Sequence, residues 1–144
     1  MKVWADESFT GPLTQLEYTI VPSQGELWYD ISYVNCAKKP DGEINSIGSM
    51  ADRPETMPTD GSACPGHAYG MSVSSNAPNS DKYHCKPNDY CPDQIYFVDS
   101  YAAHKMTVKE PTARCGDQNM SSDVTFEICN YDFAYPKRGV SWQS

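Results

Sequence analysis

Three acidic residues stand among aromatic ones. Glu17 precedes Tyr18, Asp30 follows Trp28 and Tyr29, and Asp99 lies between Tyr96-Phe97 and Tyr101. Carboxylates accept hydrogen bonds from hydroxyl groups, and aromatic rings offer flat apolar faces. Together they suit a carbohydrate cleft, with Trp28 and Tyr96 as candidate stacking rings. A pair of carboxyls can also hydrolyse a glycosidic bond when held about 5–5.5 Å apart for retention or about 6.5–9.5 Å apart for inversion. Other chemistries find less support. His67, His84 and His104 lack the paired spacings of a metal site, so no metal is expected. No G-x-S-x-G elbow and no glycine-rich phosphate loop occur, and no cofactor is expected.

Cysteine content points to an oxidising compartment. Cys36, Cys64, Cys85, Cys91, Cys115 and Cys129 fall in a chain of 144 residues, without the C-x2-C pairs of a zinc site. Three disulfides are expected, in a connectivity that spacing alone leaves open. A secreted protein, extracellular or of the cell wall, is the matching location, and the sequon at Asn119 agrees with it. Met1-Lys2-Val3-Trp4 runs into polar residues without an apolar stretch, so either a signal was removed or the chain is a piece of a longer protein. The net charge of −8 argues against nucleic acid or an anionic membrane surface as partner. No apolar run is long enough for a membrane-spanning helix. A monomer is expected.

The residues that position these side chains read as strands. Leucine occurs only at 13, 16 and 27 against ten Tyr, and Pro and Gly are scattered, which disfavours helical bundles and favours an all-β fold. Leu16, Tyr18 and Ile20 alternate with polar residues, and so do Leu27, Tyr29, Ile31 and Tyr33. Pro22 and Gly25 punctuate the link, which predicts an antiparallel hairpin. A turn centred between Ser23 and Gln24 sets Leu16 opposite Ile31, Tyr18 opposite Tyr29 and Ile20 opposite Leu27. A slip of one residue would face apolar against polar throughout. The same register sets Glu17 opposite Asp30 and Thr19 beside Trp28 on the other face. Like charges so placed cost about 0.2–1 kcal/mol, which a structural sheet gains nothing from and an acidic cleft can use. The bland alternative is that both are solvated or bridged by a cation.

Residues 36–92 are rich in Pro, Gly, Ser, Asn and Asp and read as a loop region tied by disulfides, with one short strand expected within Ala68–Val73. Order returns in 93–132, through the apolar run Ile95–Val98, a weaker strand at Thr107–Lys109 and an alternating strand at Val124–Cys129. The whole, 1–144, reads as a single domain.

Several segments, in order, resemble the thaumatin-like proteins. Lys2-Val3-Trp4-Ala5 is similar to the family's K/R-I-W-A strand, Thr14-Gln15-Leu16-Glu17-Tyr18-Thr19-Ile20 to its T-x-x-E-F-T-L strand, and Tyr29-Asp30-Ile31-Ser32 to its Y-D-V-S strand. Cys91-Pro92-Asp93 through Asp99 looks like its C-P-D segment, and Cys115 with Asp123–Cys129 like its closing strand. The style is that of small fungal-type members with a shortened middle. The resemblance implies a thaumatin-like β-sandwich core with disulfide-tied loops, and an acidic cleft that binds β-1,3-glucan. It carries over Glu17 and Asp30 as cleft acids and Asp99 as the last cleft aspartate. The second cleft aspartate is replaced by Asn35, and the cleft arginine has no counterpart. An amide cannot transfer a proton but still bonds sugar hydroxyls. The family's first strands have no equivalent ahead of Met1, so the fold is expected to be N-terminally truncated or otherwise stabilised. Their early cysteine is missing too. Cys129 is then expected to pair with Cys36, with Cys64–Cys115 and Cys85–Cys91 completing the set.

The expected function is a secreted protein that binds fungal cell-wall β-glucan or another polysaccharide. The alternatives are a weak endo-β-1,3-glucanase, with Glu17 as acid and Asp30 as base or stabiliser, and a non-catalytic interaction protein of a defence-related, antifungal kind.

Overall fold

The computed structural model describes residues 1–4, 7–44, 57–116 and 121–128. Asn119 and Cys129, named above as a glycan acceptor and a disulfide partner, lie outside the described residues. Regular structure is almost wholly β, with no α-helix among the described residues and a short 3-10 turn at His67–Tyr69.

The strands are β1 (Lys2–Trp4), β2 (Leu13–Val21), β3 (Glu26–Ser32), β4 (Met71–Ser75), β5 (Tyr83–Cys85), β6 (Ala113–Arg114) and β7 (Val124–Ile128). They form two antiparallel sheets, one ordered β1-β2-β3-β6 and one ordered β5-β4-β7. The β2–β3 hairpin has the predicted register, with Leu16↔Ile31, Glu17↔Asp30, Tyr18↔Tyr29, Thr19↔Trp28 and Ile20↔Leu27. Its connection runs from Pro22 to Gly25, and Gly25 takes a φ of 69°, a left-handed conformation that glycine adopts without steric cost.

Both sheets contribute to one core. Leu16, Leu27, Tyr29 and Ile31 come from the first sheet, and Met71, Val73, Tyr83 and Cys85 from the second. Ile95, Phe97 and Val98 are buried as well, although the chain there makes only an isolated parallel bridge, Ser32↔Tyr96, and no strand. The 36–92 region is therefore more than a tied loop, since β4 and β5 bring four core side chains from it. Its short strand begins at Met71, later than expected, because Gly66 and Gly70 take positive φ on either side of the 3-10 turn. The weak strand at Thr107–Lys109 is not formed, and pairing with β3 comes instead from Ala113–Arg114.

Two residues on the apolar face of the hairpin do not enter the core. Tyr18 is 65% exposed and Ile20 is 49% exposed. The outer half of β2 is separated from β7 by an apolar hollow of about 380 Å³, lined by Leu16, Leu27, Val124 and Phe126 among others. Alternation sets the face, but only a second sheet close above it buries the side chain.

Tyr29 is fully buried, and its hydroxyl donates to the carbonyl of Asp81 in the segment leading to β5. Tyr29→Phe keeps the ring and strands that carbonyl, so it should lower unfolding stability by about 1 kcal/mol. Urea denaturation checks this, and an unchanged midpoint would show that solvent already serves the carbonyl.

The disulfides correct part of the expected set. Cys36 pairs with Cys64, with their Cα atoms 4.9 Å apart, in place of Cys36–Cys129 and Cys64–Cys115. Local backbone pairing brings them together, since the Lys38 amide donates to the Asp60 carbonyl at 2.7 Å. Cys85 and Cys91 pair as expected. Cys115 is buried, has no disulfide partner among the described residues and directs its sulfur to the Ser75 hydroxyl at 3.2 Å.

Candidate functional site

The face of β2 and β3 turned away from the core carries the predicted acids. Because side chains alternate, Gln15, Glu17 and Thr19 share that face with Trp28, Asp30 and Ser32. Directly opposed residues have Cβ atoms about 4.5–5.5 Å apart, so the Glu17 and Asp30 carboxyls rise side by side.

Two segments wall this face into a groove. Backbone bonds lay Tyr96 along β3: the Tyr96 amide donates to the Ile31 carbonyl at 2.9 Å, and the Tyr33 amide to the Tyr96 carbonyl at 2.7 Å. The Tyr96 hydroxyl then donates to Glu110 Oε1 at 2.9 Å and contacts the Thr112 hydroxyl. The turn after β3 presents Asn35. The amides of Cys36 and Ala37 both bond the Tyr33 carbonyl, and the Cys36–Cys64 bridge holds that turn.

The result is a cavity of about 500 Å³ lined by Gln15, Glu17, Asp30, Ser32, Val34, Asn35, Tyr96, Asp99 and Glu110. Five of the sequence-predicted site residues, Glu17, Asp30, Asn35, Tyr96 and Asp99, thus come together. Trp28 does not line the cavity. Its indole N–H donates to Glu26 Oε2 at 3.0 Å, and the Arg114 guanidinium stands 5.8 Å from its ring centre.

Glu110 was missed by the sequence reading. It sits in a segment without periodicity, and only the return of the chain past Tyr96 brings it in. Gln15 and Ser32 had a signal, since they are directly opposed on the face of Glu17 and Asp30.

The electrostatics are one-sided. Among the described residues, four carboxyls line the cavity and no Lys or Arg does. Asp30 is pushed up to about 7, first by burial, then by the charge of Glu17 opposite and of Glu110 across the groove. Its Oδ1 is buried without a hydrogen-bond partner among the described residues, and so is Oδ1 of Asn35. Buried acceptors of this kind are normally satisfied by protein or by ordered water, so these two mark polar positions beneath the groove lining. Among the described residues, no group of three or more His, Cys, Asp or Glu side chains is arranged to hold a metal ion. The three histidines stay apart from the groove lining.

Comparison of the chain with protein-family models, with curated proteins and with solved structures finds no match.

Proposed function

We propose that this is a secreted carbohydrate-binding protein of thaumatin-like architecture, and that its acidic groove takes β-1,3-glucan of the fungal cell wall. One observation carries the reading: Glu17, Asp30, Asn35 and Asp99 line a single cavity, with Glu17 and Asp30 directly opposed on its sheet face. A polyol is neutral and rich in O–H donors, so it can pair with the carboxyls that line the groove without bringing further negative charge. Tyr96, its hydroxyl tied to Glu110, adds a ring at the wall. Two disulfides among the described residues support an oxidising, extracellular setting.

Glu17→Gln should weaken retention on insoluble β-1,3-glucan about tenfold, because a charge-assisted hydrogen bond becomes a neutral one. Sedimentation with the polysaccharide measures this. Equal retention of wild type and variant, or none by either, would remove the glucan assignment.

A second reading, a weak endo-β-1,3-glucanase, is favoured by the raised proton affinity of Asp30. A glycosidase needs one carboxyl that holds its proton near neutrality beside another that acts as base or nucleophile. Asp30 fits the acid and Glu17 the partner, the reverse of the roles first expected from the sequence. Reducing-sugar release from laminarin that disappears in both Asp30→Asn and Glu17→Gln would establish it, and no release by wild type would leave the binding reading alone.

A further inference from the structure

The groove face does not end at Asp30. Trp28 lies two residues along β3 on the same face, and the strand register places it in a transverse row between Thr19 of β2 and Arg114 of β6. Its indole is anchored twice. Glu26 Oε2 accepts the ring N–H at 3.0 Å, while Glu26 Oε1 accepts from Arg114 Nη1 at 3.2 Å, and the guanidinium backs the ring. The Glu26 side chain is only 15% exposed, so this bracing is itself sheltered. On the β2 side the paired neighbour is Thr19, small and exposed, and Trp28 itself is half-buried.

An indole at the surface normally loses rotamer freedom when a ligand stacks on it. Here the carboxylate and guanidinium have already removed that freedom, which lowers the cost of stacking. The Arg114–Glu26 pairing also leaves this end of the face close to neutral, unlike the acidic groove beside it. An acceptor-lined trough next to a preset ring suits an oligosaccharide: hydroxyls of one sugar unit meet the carboxylates, and the flat face of a neighbouring unit meets the indole.

We propose that the ligand surface continues from the groove along β3 to Trp28, held as a stacking platform by Glu26 and Arg114, so that the site takes a chain of several sugar units. This rests on the glucan reading above.

The test compares laminaribiose with laminarihexaose by calorimetry on the whole protein. The wild type should bind the hexaose at least tenfold more tightly than the biose. Trp28→Ala should lower hexaose affinity about tenfold and leave biose affinity within about twofold. Arg114→Ala, at a side chain 53% exposed, threatens folding least and should cost the hexaose alone about threefold by loosening the ring. If Trp28→Ala changes neither affinity, or both equally, the extended surface is overturned while the groove keeps its ligand. If the wild type binds neither oligosaccharide, both readings fall together.

Discussion

Asp30→Asn should yield a protein that is more stable at pH 8 and a poorer binder. The carboxyl has an ordinary value of 3.8 and is pushed up to about 7 in the folded protein by burial and by Glu17 and Glu110. Between those values the folded state keeps a proton that the unfolded state has released. Stability therefore falls as pH rises from about 4 to about 7, and above that the penalty stays constant. The groove is partly solvated, so the penalty is screened to about 1–2 kcal/mol. Asparagine carries no charge to bury. The variant should melt about 3–8 °C above wild type at pH 8 and together with it at pH 4. A difference in melting temperature that does not change with pH would mean that the carboxyl is hydrated like any surface group.

Ligand binding at the same residue should run the other way. Hydroxyls that donate to Asp30 favour its ionised form, so they lower its proton affinity, and affinity for the glucan rises from pH 5 to pH 8. Losing a charge-assisted bond costs about 1.5–3 kcal/mol, so Asp30→Asn should bind about 10–100-fold more weakly at pH 8 and show a flat pH profile. Binding that weakens with rising pH in the wild type would identify the protonated carboxyl as the contacting form. Greater stability exchanged for lost binding marks a residue kept for its site rather than its fold.

The second large effect concerns the Cys36–Cys64 bridge, which spans 28 residues of sequence. A loop of this size corresponds to about 3–4 kcal/mol of stability through restriction of the unfolded chain. Replacing both cysteines by serine should remove that amount, a large part of the stability a domain of this size has. The damage should reach the site as well. Asn35 immediately precedes Cys36 in the turn that the bridge holds, and its buried oxygen depends on that turn. Chemical denaturation would report the loss of stability, and glucan affinity under conditions where the double variant is still folded would report the loosened groove. A variant with unchanged denaturation midpoint would show that the pairing of Lys38 with Asp60 suffices to close this loop.

The hairpin and its register could be read from the chain itself, because strand alternation has a period of two and a single slip would invert every apolar pair. From that register followed the meeting of Glu17 with Asp30, and with it the acidic character of the face. Gln15 and Ser32 were legible by the same rule. Sequence patterning is local, and it stops being informative where the chain is held by bonds between distant segments. That is why Cys36 was assigned the wrong partner: the pairing of Lys38 with Asp60, which sets Cys64 beside it, leaves no periodic trace. Glu110 enters through the hydroxyl of Tyr96, and Trp28 is drawn away from the cavity by Glu26 and Arg114, contacts that no spacing encodes. Tyr18 and Ile20 show the remaining limit. Alternation determined which face they share with Leu16, while the distance to the second sheet, a property of the packed molecule alone, decided that Leu16 is buried and they are not.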